Sequence, residues 1–99
     1  MTGSGTQIVT VQSLDTMRFV PNTIIVQTGH PVQLTLKNQG QMTHDLTLTD
    51  GVAQPEKILA QHGQAATGTF TIEHPGTYTF FCSQPGHRAR GMTGTITAR

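Results

Sequence analysis

Hydrophobic and polar residues alternate along much of the chain with a period of two. In the run Val32–Asn38, valine and leucine occupy every second position until the run ends. Leu46 and Leu48 repeat the same spacing within His44–Thr49. Successive side chains of a strand point to opposite faces of the sheet, so this pattern predicts strands that bury one face.

Turn residues divide the chain into short runs of this kind. Gly, Pro, Asn and Asp separate the runs, for example at His74-Pro75-Gly76. The predicted strands are Thr6–Leu14, Thr23–Gln27, Val32–Asn38, His44–Thr49, Thr67–Glu73, Thr77–Cys82 and Thr93–Ala98. Only Pro55–Gln61 is predicted to be helical. About seven or eight strands separated by turns indicate an all-β Greek-key sandwich with one short helical segment.

The composition supports an all-β fold. The chain contains 18 threonines and 10 glutamines, whereas charged residues make up only 11% of it. Threonine is branched at Cβ and favours strands over helices. Uncharged polar side chains therefore cover most of the surface.

Charge and hydropathy exclude some classes of partner. The net charge is +1, which gives no electrostatic basis for binding nucleic acid or an anionic membrane. No apolar run approaches the length of a transmembrane helix. We expect a monomer with protein partners, and a membrane association only through an anchor outside this chain.

The 99 residues are enough for one domain. We predict a single domain over residues 7–99, preceded by a flexible segment over residues 1–6. Gly3-Ser4-Gly5 fits either the remnant of a tether or a scar of cloning. The polar start has no apolar leader, so we expect a mature or trimmed form.

The segment Phe80–Gly94, which reads FFCSQPGHRARGMTG, contains the residues with the most distinctive chemistry. Cys82, His87 and Met92 occur there, each separated from the next by four residues. Pro85-Gly86 predicts a tight turn that brings His87 back towards Cys82. His44, two predicted strands earlier, completes a set of four.

These four residue types suit a metal that changes its oxidation state. Two imidazoles and a thiolate with a weak thioether form the blue-copper ligand set. Thiolate and thioether favour Cu(I), whereas imidazole accommodates Cu(II), and zinc also occupies sites of this type. Singly, Cys82 and Met92 would be core residues and His44 a hydrogen-bonded structural residue. Together with His87 they indicate a copper site.

The strand phase also places these residues at the core. His44 is in phase with Leu46, and Cys82 is in phase with Phe80, so both should point inward. The other histidines flank turns and are predicted to lie at the surface: His30, His62 and His74. Met17 and Met42 are expected to pack, and Met42 also to help cover the site.

Together these residues resemble the cupredoxin family over roughly residues 19–96. The first half of the resemblance rests on Phe19, Pro21, Val26, Gly29, Val32, Asn38 and His44. The second half rests on Pro75-Gly76, Tyr78, Phe80 and Cys82. The Cys-x4-His-x4-Met spacing is similar to that of auracyanins and rusticyanins, whereas plastocyanins have a shorter first gap and azurins a shorter second gap.

The resemblance implies roles for individual residues. It makes His44, Cys82 and His87 the equatorial ligands of one copper ion and Met92 the axial ligand. Many members carry Asn after the first histidine, bonded to the residue that follows the cysteine. Asp45 and Ser83 hold those positions here, so Asp45 departs from the family pattern.

The resemblance also implies an electron carrier rather than an enzyme. Such a protein cycles between Cu(II) and Cu(I) and docks briefly with redox partners near His87, in the periplasm or another extracytoplasmic space. Arg88 and Arg90 flank His87, either as part of a solvated loop or as a docking rim for an acidic partner.

Two other functions stay open. The chain fits a type 1 copper domain from a larger copper enzyme or a membrane-anchored redox protein. Such enzymes need further copper sites, yet this chain has no His-x-His pair and a single cysteine. Copper storage or delivery fits less well, because it favours exposed, exchangeable ligands.

Overall fold

A computed structural model describes residues 5–99 of the chain. In this range the polypeptide forms two β-sheets and a single turn of 3-10 helix. The first sheet contains, in spatial order, β2 (Arg18–Val20), β1 (Gln7–Leu14), β4 (Val32–Asn38) and β7 (Ala65–Phe70). The second contains β3 (Thr23–Val26), β9 (Thr93–Ala98), β8 (Gly76–Phe81), β5 (His44–Leu48) and β6 (Glu56–Ala60).

The fold class predicted from the alternating pattern is confirmed. Strand β4 buries alternate residues, as the sequence pattern predicts. Strands β1 and β4 are parallel, as are β3 and β9, and the remaining pairs are antiparallel. The described part has nine strands, two more than the predicted runs. One of the two is β2, which is too short to produce a clear alternation, and the other is β6.

The helical prediction for Pro55–Gln61 is wrong. Glu56–Ala60 forms β6, an edge strand paired residue by residue with β5. Ile58 and Ala60 are buried there and Leu59 is exposed, which is the period of a strand. Helix propensity is a weak preference, and pairing with a neighbouring strand overrides it. The one helical turn in residues 5–99 is Arg88–Arg90.

The inner faces of the two sheets form one hydrophobic core. The largest side chain without exposed surface is Phe80, whose ring meets Phe19 edge to face at 5.1 Å. Gly94 lies opposite Phe80, and a Cβ on Gly94 would stand 2.2 Å from the ring. Glycine at this position therefore lets Phe80 pack against β9.

At one end of the second sheet, three strand ends meet. His44 begins β5, Cys82 directly follows β8, and Met92 directly precedes β9. The register pairs Phe81 with Thr93 and with Thr47, which brings these ends side by side. The candidate residues thus share one end of the sandwich.

Only the last two residues of the predicted flexible segment are described. Of the predicted flexible segment, residues 1–4 lie outside the described part, and Gly5 and Thr6 lead into β1. None of the helical structure in residues 5–99 has the length and apolar character needed to cross a membrane.

Candidate metal centre

Three of the four predicted ligands converge on one point. A nitrogen of His44, the Cys82 sulfur and a nitrogen of His87 all lie within 4.8 Å of one another. Cys82 Sγ is 3.4 Å from His87 Nδ1, and the two imidazole rings are 5.0 Å apart. His44 and Cys82 have no exposed surface and His87 is 5% exposed, so the three side chains have little contact with solvent.

The loop after Cys82 turns back through its own hydrogen bonds. Gly86 adopts a left-handed conformation with φ 79°, and the His87 N–H donates to the Gln84 carbonyl at 3.0 Å. The 3-10 turn follows immediately, and the Met92 N–H then donates to the His87 carbonyl at 3.2 Å. This geometry agrees with the turn that Pro85-Gly86 predicts.

Met92 lies beside the converging residues. Its side chain is fully buried, and its carbonyl accepts the Cys82 N–H at 3.1 Å. Its backbone is thus bonded to both Cys82 and His87. This position is compatible with the predicted axial role of Met92. Binding of the metal by its thioether stays a prediction.

One nitrogen of His44 has no partner among the described residues. Its Nε2 lies 2.8 Å from Asp15 Oδ1, whereas Nδ1 is buried and makes no hydrogen bond. A carboxylate beside Nε2 places the ring proton there, which leaves a bare lone pair on Nδ1. Burying an unsatisfied polar atom is unfavourable, so a metal ion that accepts this lone pair fits the site.

Asp45 joins the beginning of β5 to the ligand loop. Its carboxylate accepts hydrogen bonds from the Ser83 N–H and Oγ at 2.7 Å each, from Gln84 Nε2 at 2.8 Å and from Thr47 Oγ1 at 2.8 Å. The Asp45 N–H also donates to Cys82 Sγ at 3.4 Å. Although Asp45 departs from the family's Asn, it bonds to the residue after the cysteine.

Local electrostatics act differently on Asp45, His87 and Cys82. Burial raises the pKa of Asp45, but its hydrogen bonds outweigh this and hold the pKa below its usual value. Burial lowers the pKa of His87, and the neighbouring His44 and Arg90 lower it further. His87 is therefore neutral near pH 7. Burial raises the pKa of the Cys82 thiol, which a bound cation would deprotonate.

The remaining predicted residues lie around this centre. An open cleft of about 580 Å³ is lined by residues 81–86, Arg88 and Ala89, and thus includes Pro85. The Arg88 guanidinium stacks on the Phe81 ring at 4.0 Å, and Arg90 is exposed. Both arginines therefore border the loop that carries His87.

The surface and core predictions for the other histidines and methionines had mixed outcomes. The three turn histidines are exposed, as predicted: His30, His62 and His74. Met17 is buried, but the packing prediction for Met42 is wrong, since 41% of its surface is exposed. The Met42 N–H instead donates to Asp15 at 3.3 Å, which places the residue in a surface loop.

Asp15 is the residue of the site that sequence reasoning missed. It lies 29 residues before His44, in the turn after β1, where an aspartate is an ordinary turn residue. No spacing links the two residues, and only the packing of the first sheet against the second brings them together.

Comparison with known proteins identifies similar sequences. A family model described as a cupredoxin-like domain matches residues 3–98. The copper-resistant cuproprotein CopI of Rubrivivax gelatinosus is 28% identical over 86% of this chain and 62% of its own length. Auracyanin-B of Chloroflexus aurantiacus is 29% identical over 77% of this chain and 34% of its own length. The chain thus spans less than two thirds of either relative.

Solved structures share the fold. The dithionite-reduced auracyanin of Roseiflexus castenholzii superposes with a TM-score of 0.82 at 24% identity, covering 99% of both chains. Auracyanin A of Chloroflexus aurantiacus, described as a "blue" copper protein, gives a TM-score of 0.84 at 20% identity, covering 96% of this chain and all of the other. At these identities the likeness concerns the fold alone.

Proposed function

The chain belongs to the cupredoxin-like family, and from that premise we propose that it is a mononuclear type 1 copper protein that carries electrons between redox partners. His44, Cys82 and His87 are the equatorial ligands in this proposal, and Met92 is the axial ligand. The fold similarity to a protein described as a "blue" copper protein agrees with it.

One observation supports the proposal most strongly. Three buried donor atoms from His44, Cys82 and His87 lie within 4.8 Å of one another, and His44 Nδ1 makes no hydrogen bond. Two imidazoles with a thiolate suit a copper ion, which when bound supplies a one-electron couple between Cu(II) and Cu(I).

The surrounding residues keep the donors in place during such a cycle. Asp45 connects β5 to the ligand loop by three accepted hydrogen bonds, and Met92 connects the end of the loop back to Cys82. Because the donors are buried and tied to strand ends, they have little freedom to rearrange. A site that changes little between two oxidation states exchanges electrons readily.

Partner docking belongs at the edge that carries His87. His87 is the ligand with exposed surface, and the cleft beside it includes Pro85 and the Phe81 ring. A small, partly apolar surface of this kind suits the brief complexes of electron transfer. Arg88 and Arg90 give this edge a positive charge, which favours an acidic partner.

The wider setting follows the same proposal. We place the protein outside the cytoplasm, as a monomer with one domain over residues 7–99. No substrate turnover is proposed, because the sequence has neither a His-x-His pair nor a second cysteine for a further copper centre.

A role in copper resistance is the second candidate, favoured by the similarity to CopI. A storage or delivery protein must release its metal, whereas the donors here are buried. Rapid loss of bound copper to a mild chelator would support this second role. Retention of copper over many oxidation cycles would support the electron carrier.

The test is a titration of the metal-free protein with Cu(II), followed by visible absorption. We expect an intense blue or greenish band that saturates at one equivalent and that ascorbate bleaches. Cys82→Ser should abolish the band, and His74→Ala, which alters an exposed histidine, should leave it unchanged. A colourless wild type, or a band that persists in Cys82→Ser, would contradict the proposal.

A further inference from the structure

The imidazole of His44, the first residue of β5, contacts the carboxylate of Asp15 through its Nε2 atom. Asp15 Oδ1 lies 2.8 Å from His44 Nε2. The His44 side chain is fully buried, whereas 34% of the Asp15 side chain is exposed. The imidazole thus lies between the candidate metal centre on one side and a charged group close to solvent on the other.

The position of the Asp15 carboxylate is fixed by backbone hydrogen bonds. The Gln41 N–H donates to Asp15 Oδ2 at 2.7 Å, and the Met42 N–H donates to Oδ1 at 3.3 Å. Gly40 makes room for it, since a Cβ at that position would stand 2.0 Å from Oδ1. The backbone of residues 40–42 and the absence of a side chain at Gly40 therefore fix where the negative charge lies.

A carboxylate bound to the outer nitrogen of a ligand histidine has two effects. It selects the tautomer with the proton on Nε2, which leaves Nδ1 free to bind a metal. It also makes the imidazole a stronger donor. Since the charge attracts a doubly charged ion more strongly than a singly charged ion, both effects favour Cu(II) over Cu(I).

We propose that Asp15 is a positioning residue that sets the tautomer and donor strength of His44 and thereby lowers the reduction potential of the bound copper. The proposal rests on the copper function proposed above. In this proposal Asp15, in the turn after β1, controls the properties of His44, a ligand 29 residues later in the chain.

The first test compares Asp15→Asn with the wild type by voltammetry. The amide oxygen of asparagine still accepts a hydrogen bond from the His44 Nε2–H, so the blue band should remain. We expect the affinity for Cu(II) to fall about tenfold relative to Cu(I), because partners of ligand histidines act on this scale. For a one-electron couple this raises the potential by about 59 mV.

Two further variants separate the geometry from the net charge. Asp50→Asn removes the same charge from an exposed residue in the loop after β5 and should leave the potential unchanged. Gly40→Ala keeps the charge of Asp15 but displaces its carboxylate, so it should raise the potential in the same direction as Asp15→Asn.

A measurement on the metal-free wild type needs no variant. Long-range proton–nitrogen NMR should show His44 as the Nε2-protonated tautomer. An Nδ1-protonated ring, or equal potentials for Asp15→Asn and Asp50→Asn, would overturn the role of Asp15 while leaving the copper function intact. A wild type without a thiolate–copper band would overturn both.

Discussion

The Asp45 carboxylate connects β5 to the ligand loop by accepting hydrogen bonds from both. Replacing Asp45 with alanine would leave the part-buried Ser83 N–H and the buried Thr47 hydroxyl without their acceptor. We predict that Asp45→Ala lowers the free energy of unfolding of the metal-free protein by about 3 kcal/mol. Urea unfolding would measure this, with the exposed Asp50→Ala as the matched control. Equal losses in the two variants would contradict the role of Asp45.

The same residue makes stability depend on pH. The hydrogen bonds of Asp45 hold its folded-state pKa below the unfolded value of about 3.9. Its stabilisation is therefore complete above about pH 4 and is lost as the pH falls through the folded pKa. Asp45→Asn has no such titration.

Urea unfolding of the metal-free protein at several pH values would test this dependence. We predict that the difference in unfolding free energy between wild type and Asp45→Asn narrows as the solution is acidified below about pH 4. A difference that stays constant from neutral to acid pH would show that folding does not shift the pKa of Asp45.

Residue types and spacing predicted the candidate ligands but not the groups that hold them. Cys82, His87 and Met92 lie within eleven residues of one another, so a local motif is enough to detect them. Asp15 reaches His44 only through tertiary packing and leaves no pattern in the sequence. The family resemblance pointed to the Asp45–Ser83 pair, whereas the bonds of Asp45 to Thr47 and Gln84 left no pattern in the sequence.

At the scale of elements, period-two alternation predicted strands well and helix propensity misled. Strand β4 was predicted with its correct bounds, and β9 likewise. The error at β6 arose because Glu, Lys, Leu and Ala favour helices in isolation, whereas the edge of the second sheet offers five pairing positions along β5. A five-residue segment has too few periods to show its alternation.

Strand β6 allows a direct test of this correction with neighbouring residues. Ile58 is 3% exposed and Leu59 is 40% exposed, because they point to opposite faces of the sheet. We predict that Ile58→Ala lowers the free energy of unfolding by about 2 to 4 kcal/mol and that Leu59→Ala lowers it by less than about 1 kcal/mol. Denaturant unfolding of both variants gives the comparison. Similar losses would contradict the strand phase.

At the scale of the whole molecule, we expect the charge near the ligand loop to affect the rate of electron transfer more than the net charge of +1 does. Arg88 and Arg90 flank His87 at one end of the sandwich, whereas Arg99 follows β9 at the other end. If the loop end is where electrons leave, charges there should steer an anionic oxidant and the distant charge should not.

Stopped-flow oxidation of the reduced protein by ferricyanide measures this steering. We predict that exchanging both Arg88 and Arg90 for Glu slows the second-order rate and reverses its dependence on salt, because attraction becomes repulsion. Arg99→Glu should change the rate much less. If the double variant had unchanged rates, Arg88 and Arg90 would have no role in steering and would simply belong to a solvated loop.

A buried copper centre in this fold should pass single electrons with little rearrangement. Electron exchange between the oxidised and reduced forms of the protein tests this most directly, because it involves no other partner. We predict that NMR signals of the reduced protein broaden in proportion to the added oxidised fraction, and that zinc-loaded protein causes no broadening. Sharp, separate signals for the two forms, or release of the metal on reduction, would contradict an electron-carrying copper centre.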